Sequence, residues 1–229
     1  MHFEVPKLKF HTIKEFLGHY VMIVVSIVTA LALEQWLESV HHAHQAHTAS
    51  QQIEAEIKAN LDDIRRIQVK NTAHLKKLQE MSTSLTQEIK ANVPASEINQ
   101  HMHGYFNNDF GLNLQWPSLH KEAWDVAVAN QSASWMEAQT LRRYSTAYAT
   151  QRDVQSGLSQ LGLLFNGQRM VDMLTDIEIG KVEPREMAHV LHQMMGVISE
   201  AINNMKTLEK RLEQSLPATQ NGLPIADAH

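Results

Sequence analysis

Residues 16–36 read FLGHYVMIVVSIVTALALEQW, and this stretch decides how the rest of the chain is interpreted. Its uncharged centre, residues 21–33, is too short to cross a bilayer alone. With its flanks the stretch has 21 residues, which at 1.5 Å per residue gives about 31 Å, the thickness of the hydrocarbon core. Tyr20 and Trp36 stand where aromatic side chains anchor a helix at the membrane interfaces. We therefore expect a transmembrane helix over residues 16–36.

The charges around this helix predict its orientation. Three lysines precede it, whereas Glu34 and Glu38 lie at its end and no lysine or arginine follows before Lys58. By the positive-inside rule, residues 1–15 are cytoplasmic and residues 37–216 lie outside the cytoplasm, which in a bacterium is the periplasm. A signal peptide is the competing interpretation, because Ala-Leu-Ala at 30–32 resembles a cleavage site. No second apolar stretch approaches the length of a span, so we expect a single-pass protein of the bacterial inner membrane.

The composition excludes several functional classes. The chain has 229 residues, a net charge of −5 and a pI near 6.3. Phosphate binding requires a basic face, so we expect no nucleic-acid partner. Cysteine is absent, which excludes disulfides, thiolate metal sites and cysteine nucleophiles. The sequence contains no phosphate loop, dinucleotide fingerprint or nucleophile elbow. We expect no enzymatic activity and no cofactor.

Two regular apolar patterns predict the fold outside the membrane. The chain has no glycine or proline between Gly18 and Pro94, which is compatible with one helix that leaves the bilayer and continues for many turns. Within it, a seam with steps of four and three occupies positions 57, 61, 64, 68, 71, 75, 78, 82, 85 and 89. A second such seam consists of Met187, Leu191, Met194, Ile198, Ala201, Met205, Leu208 and Leu212.

These seams predict an all-α protein. We expect the transmembrane helix to continue into a long helix that packs in an antiparallel helical bundle with coiled-coil-like seams. The first seam is polar in its middle, at Gln68, Asn71 and Ser82. Buried polar residues can set register and oligomeric state, so self-association into a homo-oligomer is the alternative to an intrachain bundle.

Shorter helices are expected between the two seams. The first starts after Pro94 and ends near Gly104, and two more are predicted to begin at Ser118 and Ser134, which are good N-caps. A further helix is expected around residues 169–179. The prolines and small polar residues of 217–229 predict a flexible tail.

Histidine is concentrated just after the transmembrane helix, where residues 41–47 read HHAHQAH. Glu38 and His41 have the Glu-x-x-His spacing of carboxylate-bridged di-iron bundles, and His44 and His47 follow on the same face. The further inward carboxylates that such a site needs cannot be placed. We therefore expect a solvated polar collar without a tightly bound metal. A metal site at Glu38, His41, His44 and His47, or a pH-responsive role, is the alternative.

Aromatic residues cluster in 105–116, which reads YFNNDFGLNLQW. Tyr105, Phe106, Phe110 and Trp116 alternate with asparagine, aspartate and glycine, which are typical of turns. One interpretation is a loop folded back so that its aromatic rings cap the bundle. The other is a protruding loop whose four aromatic side chains bind a partner.

Three features carry a resemblance to a known family. They are the N-terminal lysines, the short anchor that ends in ALALEQW at 30–36, and the AWDVA segment at 123–127 together with Tyr144 and Tyr148. Together they resemble a family of uncharacterised bacterial single-pass membrane proteins, over the anchor and the middle third of the chain. The resemblance implies a membrane-tethered helical domain outside the cytoplasm, and it carries over no catalytic residue.

Two functions fit these observations. The first is a membrane-tethered periplasmic scaffold, or accessory subunit, that contacts the bilayer and a larger membrane protein complex. The alternative is a periplasmic binding or sensing module for a small ligand, a metal or pH. Helical sensors usually signal through a second span to an output domain, whereas only residues 1–15 are expected inside. The sequence therefore favours the scaffold.

Overall fold

The structure is a computed structural model that describes residues 13–107, 114–165 and 167–217. In chain order its helices are α1 (Ile13–Lys90), α2 (Ala95–Asn107), α3 (Glu122–Ala129), α4 (Ala138–Phe165), α5 (Gln168–Glu178) and α6 (Pro184–Ser215), with a 3₁₀ turn at Ser132–Trp135 between α3 and α4. None of the described residues forms a strand. The predicted all-α class is confirmed, and α1 is the predicted long helix.

The first part of α1 has an apolar surface that no other described residue covers. Every residue of 16–36 is exposed, and the mean hydropathy of α1 reaches 2.2 in an 18-residue window. The hydroxyls in this part bond to their own helix: Ser26 Oγ donates to the Met22 carbonyl and Thr29 Oγ1 to the Val25 carbonyl, each at 2.8 Å. Such bonding is what a bilayer requires, because its hydrocarbon core contains no water that could hydrogen-bond to a hydroxyl. By length and composition, α1 contains a candidate membrane span near the N-terminus.

The second part of α1 forms the core of a helical bundle. Burial begins at Ala46, and every position of the predicted seam from Ile57 to Ile89 is buried or half-buried. On α6, every residue of the second seam from Met187 to Leu212 is buried. Positions three and four apart lie on one face of a helix, so each seam presents a continuous apolar stripe. The burial of both predicted seams is confirmed.

The bundle consists of three long helices. Helix α4 runs in the same direction as α1, because Tyr144 bonds to Glu54 and Gln151, further along, bonds to Asn60. Both α1 and α4 therefore lead away from the candidate span.

Helix α6 runs antiparallel to α1, as the seams predicted. Gln68 donates to Glu209, whereas Arg65, earlier on α1, also reaches Glu213, later on α6. Pro184 occupies the first turn of α6, where a missing N–H costs nothing. Helix α6 thus returns the chain towards the candidate span.

Helix α1 ends at the far end of the bundle. Asn92 adopts a left-handed backbone conformation with φ of 53°, which is a common way to terminate a helix. The Val93 N–H bonds back to the Glu88 carbonyl at 3.1 Å, and Pro94 then prevents further helix. His101 of α2 lies 3.3 Å from the Glu88 carboxylate, so the chain reverses direction here.

Two predicted helix starts are wrong. Helix α3 begins at Glu122 and not at Ser118, because Ser118 lies in the segment before the helix and its N–H donates to Asp63 at 2.6 Å. The residue that serves as a cap is decided by tertiary contacts and not by N-cap preference alone.

Helix α4 begins at Ala138 and not at Ser134, which lies in the 3₁₀ turn. The Glu137 carboxylate accepts the N–H groups of Gln139 and Thr140, each at 2.9 Å. These backbone hydrogen bonds lower the pKa of Glu137. A carboxylate that accepts the free N–H groups of the first turn therefore starts this helix.

Candidate functional site

Residues 114–121, called the strap below, form a segment outside the helices that lies along α1. The Asn71 side chain pairs with both backbone groups of Gln115: Nδ2 donates to the carbonyl at 2.9 Å, and Oδ1 accepts from the N–H at 3.1 Å. Asn60 pairs with His120 in the same way, at 2.7 and 2.8 Å. Each side-chain amide therefore takes the place of a neighbouring β-strand and satisfies backbone groups that the strap would otherwise leave unpaired.

The spacing of the two asparagines matches the length of the strap. From Asn60 to Asn71 α1 rises about 16.5 Å, and the five residue steps from Gln115 to His120 cover about the same distance when the backbone is extended. Both asparagines are buried, with 0% and 1% of their surface exposed. Gln151 of α4 also donates to the His120 carbonyl, at 2.9 Å. The strap is therefore held to α1 and α4 at fixed positions.

Two tyrosines of α4 bond to glutamates of α1. The Tyr148 hydroxyl donates to Glu56 at 2.6 Å, and the other oxygen of Glu56 accepts the Ala123 N–H in the first turn of α3. The Tyr144 hydroxyl donates to Glu54 at 3.1 Å. Burial, followed by the charge and hydrogen bond of Glu54, raises the pKa of Tyr144 to about 12. Burial and the Glu56 hydrogen bond raise the pKa of Tyr148 well above its ordinary value. Both hydroxyls are therefore protonated donors at neutral pH.

Three of the residues that carry the family resemblance, Trp124, Tyr144 and Tyr148, lie in this region. The Trp124 ring stacks on the Tyr148 ring, with centroids 5.3 Å apart and planes 11° apart. Tyr144 is 1% exposed and Tyr148 is 6% exposed. In this chain these aromatic residues join α3 and α4 to α1, which is a structural role.

The predicted aromatic loop is only partly described. Tyr105 and Phe106 lie in α2, which continues to Asn107, so the prediction that turn structure begins at Tyr105 is wrong. The helix continues because Ile98 and Met102 are buried on its inner face and fix α2 against the bundle. Tyr105 is 41% exposed.

The other members of that set are separated from α2 along the chain. Trp116 lies on the strap and is 39% exposed. The Phe106 side chain and all of Phe110 lie outside the described residues. Among the described residues, a common surface formed by the four aromatic side chains is therefore not seen, and their role in partner binding stays a prediction.

Trp116 forms one wall of a groove between the strap and α4, called the strap groove below. The Trp116 ring lies against α4 at Gly162, where an added Cβ atom would be in van der Waals contact with the ring, at 3.4 Å. The groove has a volume of about 390 Å³, and its apolar lining includes Trp116, Pro117, Leu119, Leu158 and Leu163. Leu163 is 77% exposed. The groove therefore presents a partly exposed apolar surface beside Trp116.

The residues of the predicted metal alternative do not converge on one point. His41, His44 and His47 are all exposed, and Glu38 lies 3.4 Å from Nε2 of His42, one turn further along α1, instead of contacting His41. Within the described ranges, no group of three or more histidine, aspartate or glutamate side chains is arranged to hold a metal. Tyr20 and Trp36, the predicted membrane anchors, are exposed, at 58% and 64%.

Among the histidines of residues 41–47, His42 is the half-buried one, and it is not one of the residues predicted to form a site. Its ring stacks on Trp135 of the 3₁₀ turn, with centroids 3.7 Å apart and planes 9° apart. The sequence contains a signal for this, because the buried positions of α1 continue backwards from Ile57 in steps of three and four through Ile53, Ala49 and Ala46, and one more step of four reaches the half-buried His42.

A second cleft lies beside this stacked pair and is called the membrane-proximal cleft below. Its volume is about 410 Å³, and it is lined by Gln35, Glu38, Ser39, His42, Ala43 and Trp135. Polar and aromatic groups thus meet next to the end of the candidate span.

Comparison with protein families, curated proteins and solved structures finds no significant match to this chain. The family resemblance therefore stays a prediction, and the functional argument rests on the geometry of the described residues.

Proposed function

We propose that the protein is a membrane-tethered helical scaffold, an accessory subunit of a larger membrane protein complex. In this proposal residues 1–15 are cytoplasmic, residues 16–36 cross a bacterial inner membrane, and the bundle lies in the periplasm. One observation carries the proposal: α1 continues without a break from the exposed apolar stretch into the buried core of the bundle. A continuous helix transmits position and orientation, as a flexible linker would not.

The base of the bundle lies close to the proposed membrane surface. From Trp36 to Ala46, the first buried residue, α1 rises only about 15 Å. Trp135 occupies part of this distance by stacking on His42. The tether therefore holds the bundle at a short, fixed height above the bilayer, where it can meet the extracytoplasmic parts of other membrane proteins.

The strap groove provides the partner-binding surface. Trp116 is held on a backbone that Asn71 and Asn60 fix to α1, so little conformational freedom is lost when a partner covers the ring. Rigid, partly exposed aromatic residues of this kind contribute disproportionately to binding at interfaces. The exposed Leu163 extends the apolar surface beside Trp116.

The membrane-proximal cleft favours a second candidate, a periplasmic binding module. Its volume of about 410 Å³ falls in the range of small-molecule sites. A binding module requires a ligand that stabilises the bundle, whereas a scaffold requires a protein that contacts the strap groove. The two functions therefore predict different results.

Site-specific photocrosslinking in native membranes tests the scaffold. A photoreactive residue at Leu163, in the full-length chain, should give a discrete adduct with a membrane protein, and Trp116→Ala should remove that adduct. The matched control position is Val69 of α1, an equally exposed apolar residue (72%) outside the groove. Absence of an adduct from Leu163, or the same adducts from both positions, would contradict the proposal. The melting temperature of Trp116→Ala, measured in parallel, separates lost binding from lost folding.

A further inference from the structure

The membrane-proximal cleft opens at the level where α1 leaves its apolar stretch. Gln35, at one end of the cleft, precedes the interfacial Trp36, and Glu38 lies about 3 Å beyond Trp36 along the helix axis. The polar headgroup region of a bilayer adds about 5 to 7 Å on each side of the hydrocarbon core. The part of the cleft nearest the span therefore lies at the depth of the phospholipid headgroups.

The charge of the cleft favours a cation. The Glu38 side chain is 66% exposed, and Glu34 lies one turn earlier on the same face of α1. No lysine or arginine occurs on α1 between Lys14 and Lys58, and the basic group in contact with Glu38 is Nε2 of His42, 3.4 Å away. Trp135 is 50% exposed, and an indole ring attracts cations to its face.

Hydrogen-bond donors lie beside this negative charge. Gln35 and Ser39 line the cleft with an amide and a hydroxyl, and both groups can donate to phosphate oxygens. Nδ1 of His42 is buried without a hydrogen-bond partner among the described residues, which is rare for a polar atom in a folded protein. The cleft thus combines a carboxylate and neutral donors from two turns of α1 with an aromatic ring from the 3₁₀ turn.

We propose that the membrane-proximal cleft binds the headgroup of an ethanolamine phospholipid from the surrounding bilayer. The ammonium group contacts Glu38 and Trp135, and the phosphodiester accepts hydrogen bonds from Gln35 and Ser39. A glycerol headgroup has no cation, so it adds no positive charge beside Glu38. This inference rests on the proposed function only in that α1 crosses the membrane. A lipid held in this cleft contacts both α1 and the 3₁₀ turn, and so fixes which side of the bundle faces the bilayer.

Native mass spectrometry of the full-length protein tests this inference. Protein purified in mild detergent is mixed with equimolar phosphatidylethanolamine and phosphatidylglycerol of identical acyl chains, and the retained lipids are counted. We expect the wild type to retain about ten times more of the ethanolamine lipid than of the glycerol lipid. A tenfold ratio corresponds to the free energy of about one charge-assisted hydrogen bond. Glu38→Gln should bring the ratio close to one, and Trp135→Leu should reduce it several-fold. Glu15→Gln, which removes a carboxylate at the opposite end of the apolar stretch, should leave the ratio unchanged.

Three results would overturn the headgroup site. They are equal retention of the two lipids by the wild type, an unchanged preference in Glu38→Gln, and an equal loss in Glu15→Gln. Thermal unfolding of each variant verifies that the bundle is folded. An alkaline carbonate wash of the membranes, made before purification, separates this inference from the proposed function. Protein released by the wash contradicts the tether itself, whereas retained protein without a lipid preference contradicts only the headgroup site.

Discussion

The two parts of α1 use apolar residues in opposite ways. Over residues 16–36 the apolar side chains surround the helix and none is buried within the described chain. From Ala46 onwards the apolar positions repeat every three or four residues and are buried in the bundle. No break in the helix marks the change. The distribution of apolar residues around the axis, and not the helix itself, distinguishes a surface suited to lipid from one suited to protein.

The same substitution in the two parts should have very different effects. Ile57→Ala removes a fully buried side chain (0% exposed), which should cost about 2–5 kcal/mol of bundle stability because a cavity remains. For a bundle of this size the melting temperature should fall by about 5–15 °C. Ile27→Ala, at a position 55% exposed in the apolar stretch, is the control and should leave the melting temperature within about 2 °C. Thermal unfolding in detergent, followed by circular dichroism, measures both. Equal shifts would contradict the division of α1.

A buried polar residue of α1 should matter almost as much as a buried apolar one. Asn60→Ala leaves the His120 N–H without its acceptor and should cost about 2–3 kcal/mol, since a buried unpaired group bears its full desolvation penalty. Asn203→Ala, at an exposed position of α6, is the matched control, with an expected change within about 0.5 kcal/mol. Chemical denaturation measures both values. If the Asn60 variant were as stable as the wild type, the asparagines would not hold the strap.

The tyrosine–glutamate pairs predict a loss of stability at alkaline pH. The pKa of Tyr144 is raised to about 12 in the folded protein, above its ordinary value of 10 in the unfolded chain, and that of Tyr148 is also raised. A raised pKa means that folding favours the neutral form of the tyrosine. The contribution of these hydroxyls to the free energy of unfolding is therefore complete below pH 10 and is lost as the pH rises towards 12. We expect a loss on the order of 1 kcal/mol that the Tyr144→Phe, Tyr148→Phe double variant does not show. Unfolding curves recorded at several alkaline pH values measure the difference, and identical pH dependence in both proteins would refute it.

The smallest expected effect concerns the surface ion pairs between α1 and α6. Arg65 pairs with Glu209 and Glu213, and these hydrogen bonds raise its pKa. Because Arg65 is 49% exposed, Arg65→Gln should cost less than about 1 kcal/mol, and the cost should shrink in high salt. Arg152→Gln, whose pairing with Asp153 is fully on the surface, is the control and should have no measurable effect. A salt-independent loss would indicate that Arg65 acts by packing.

Apolar periodicity made the bundle predictable from the sequence. A step of three and four residues directly encodes which side of a helix is buried, and the seams beginning at Ile57 and Met187 required no further knowledge. The strap could not be predicted in this way. Asn60 and Asn71 bond to backbone groups 60 and 44 residues away, and any residue type can supply those backbone groups. The side chains therefore give no indication of their partners.

The same reason explains the errors near the candidate sites. Ser118 and Ser134 are good caps by type, but contacts with Asp63 and the carboxylate of Glu137 determine where the helices start. Local composition does not separate His42 from the other histidines of residues 41–47. Its position does, because His42 lies one step of four before the buried Ala46, whereas His41 and His44 lie off that stripe. Position on the helix face, and not local composition, therefore determines that His42 is the histidine that stacks on Trp135.

The boundary within α1 is the central claim, and cysteine accessibility tests it most directly. The chain contains no cysteine, so a single cysteine introduced at an exposed position of α1 is the only thiol of the protein that a maleimide can label. In intact cells treated with a membrane-impermeant maleimide, we expect labelling of His44→Cys and protection of Val25→Cys. We also expect labelling of Lys14→Cys only after the membrane is permeabilised. Labelling of Val25→Cys, or protection of His44→Cys together with labelling of Lys14→Cys in intact cells, would contradict the account.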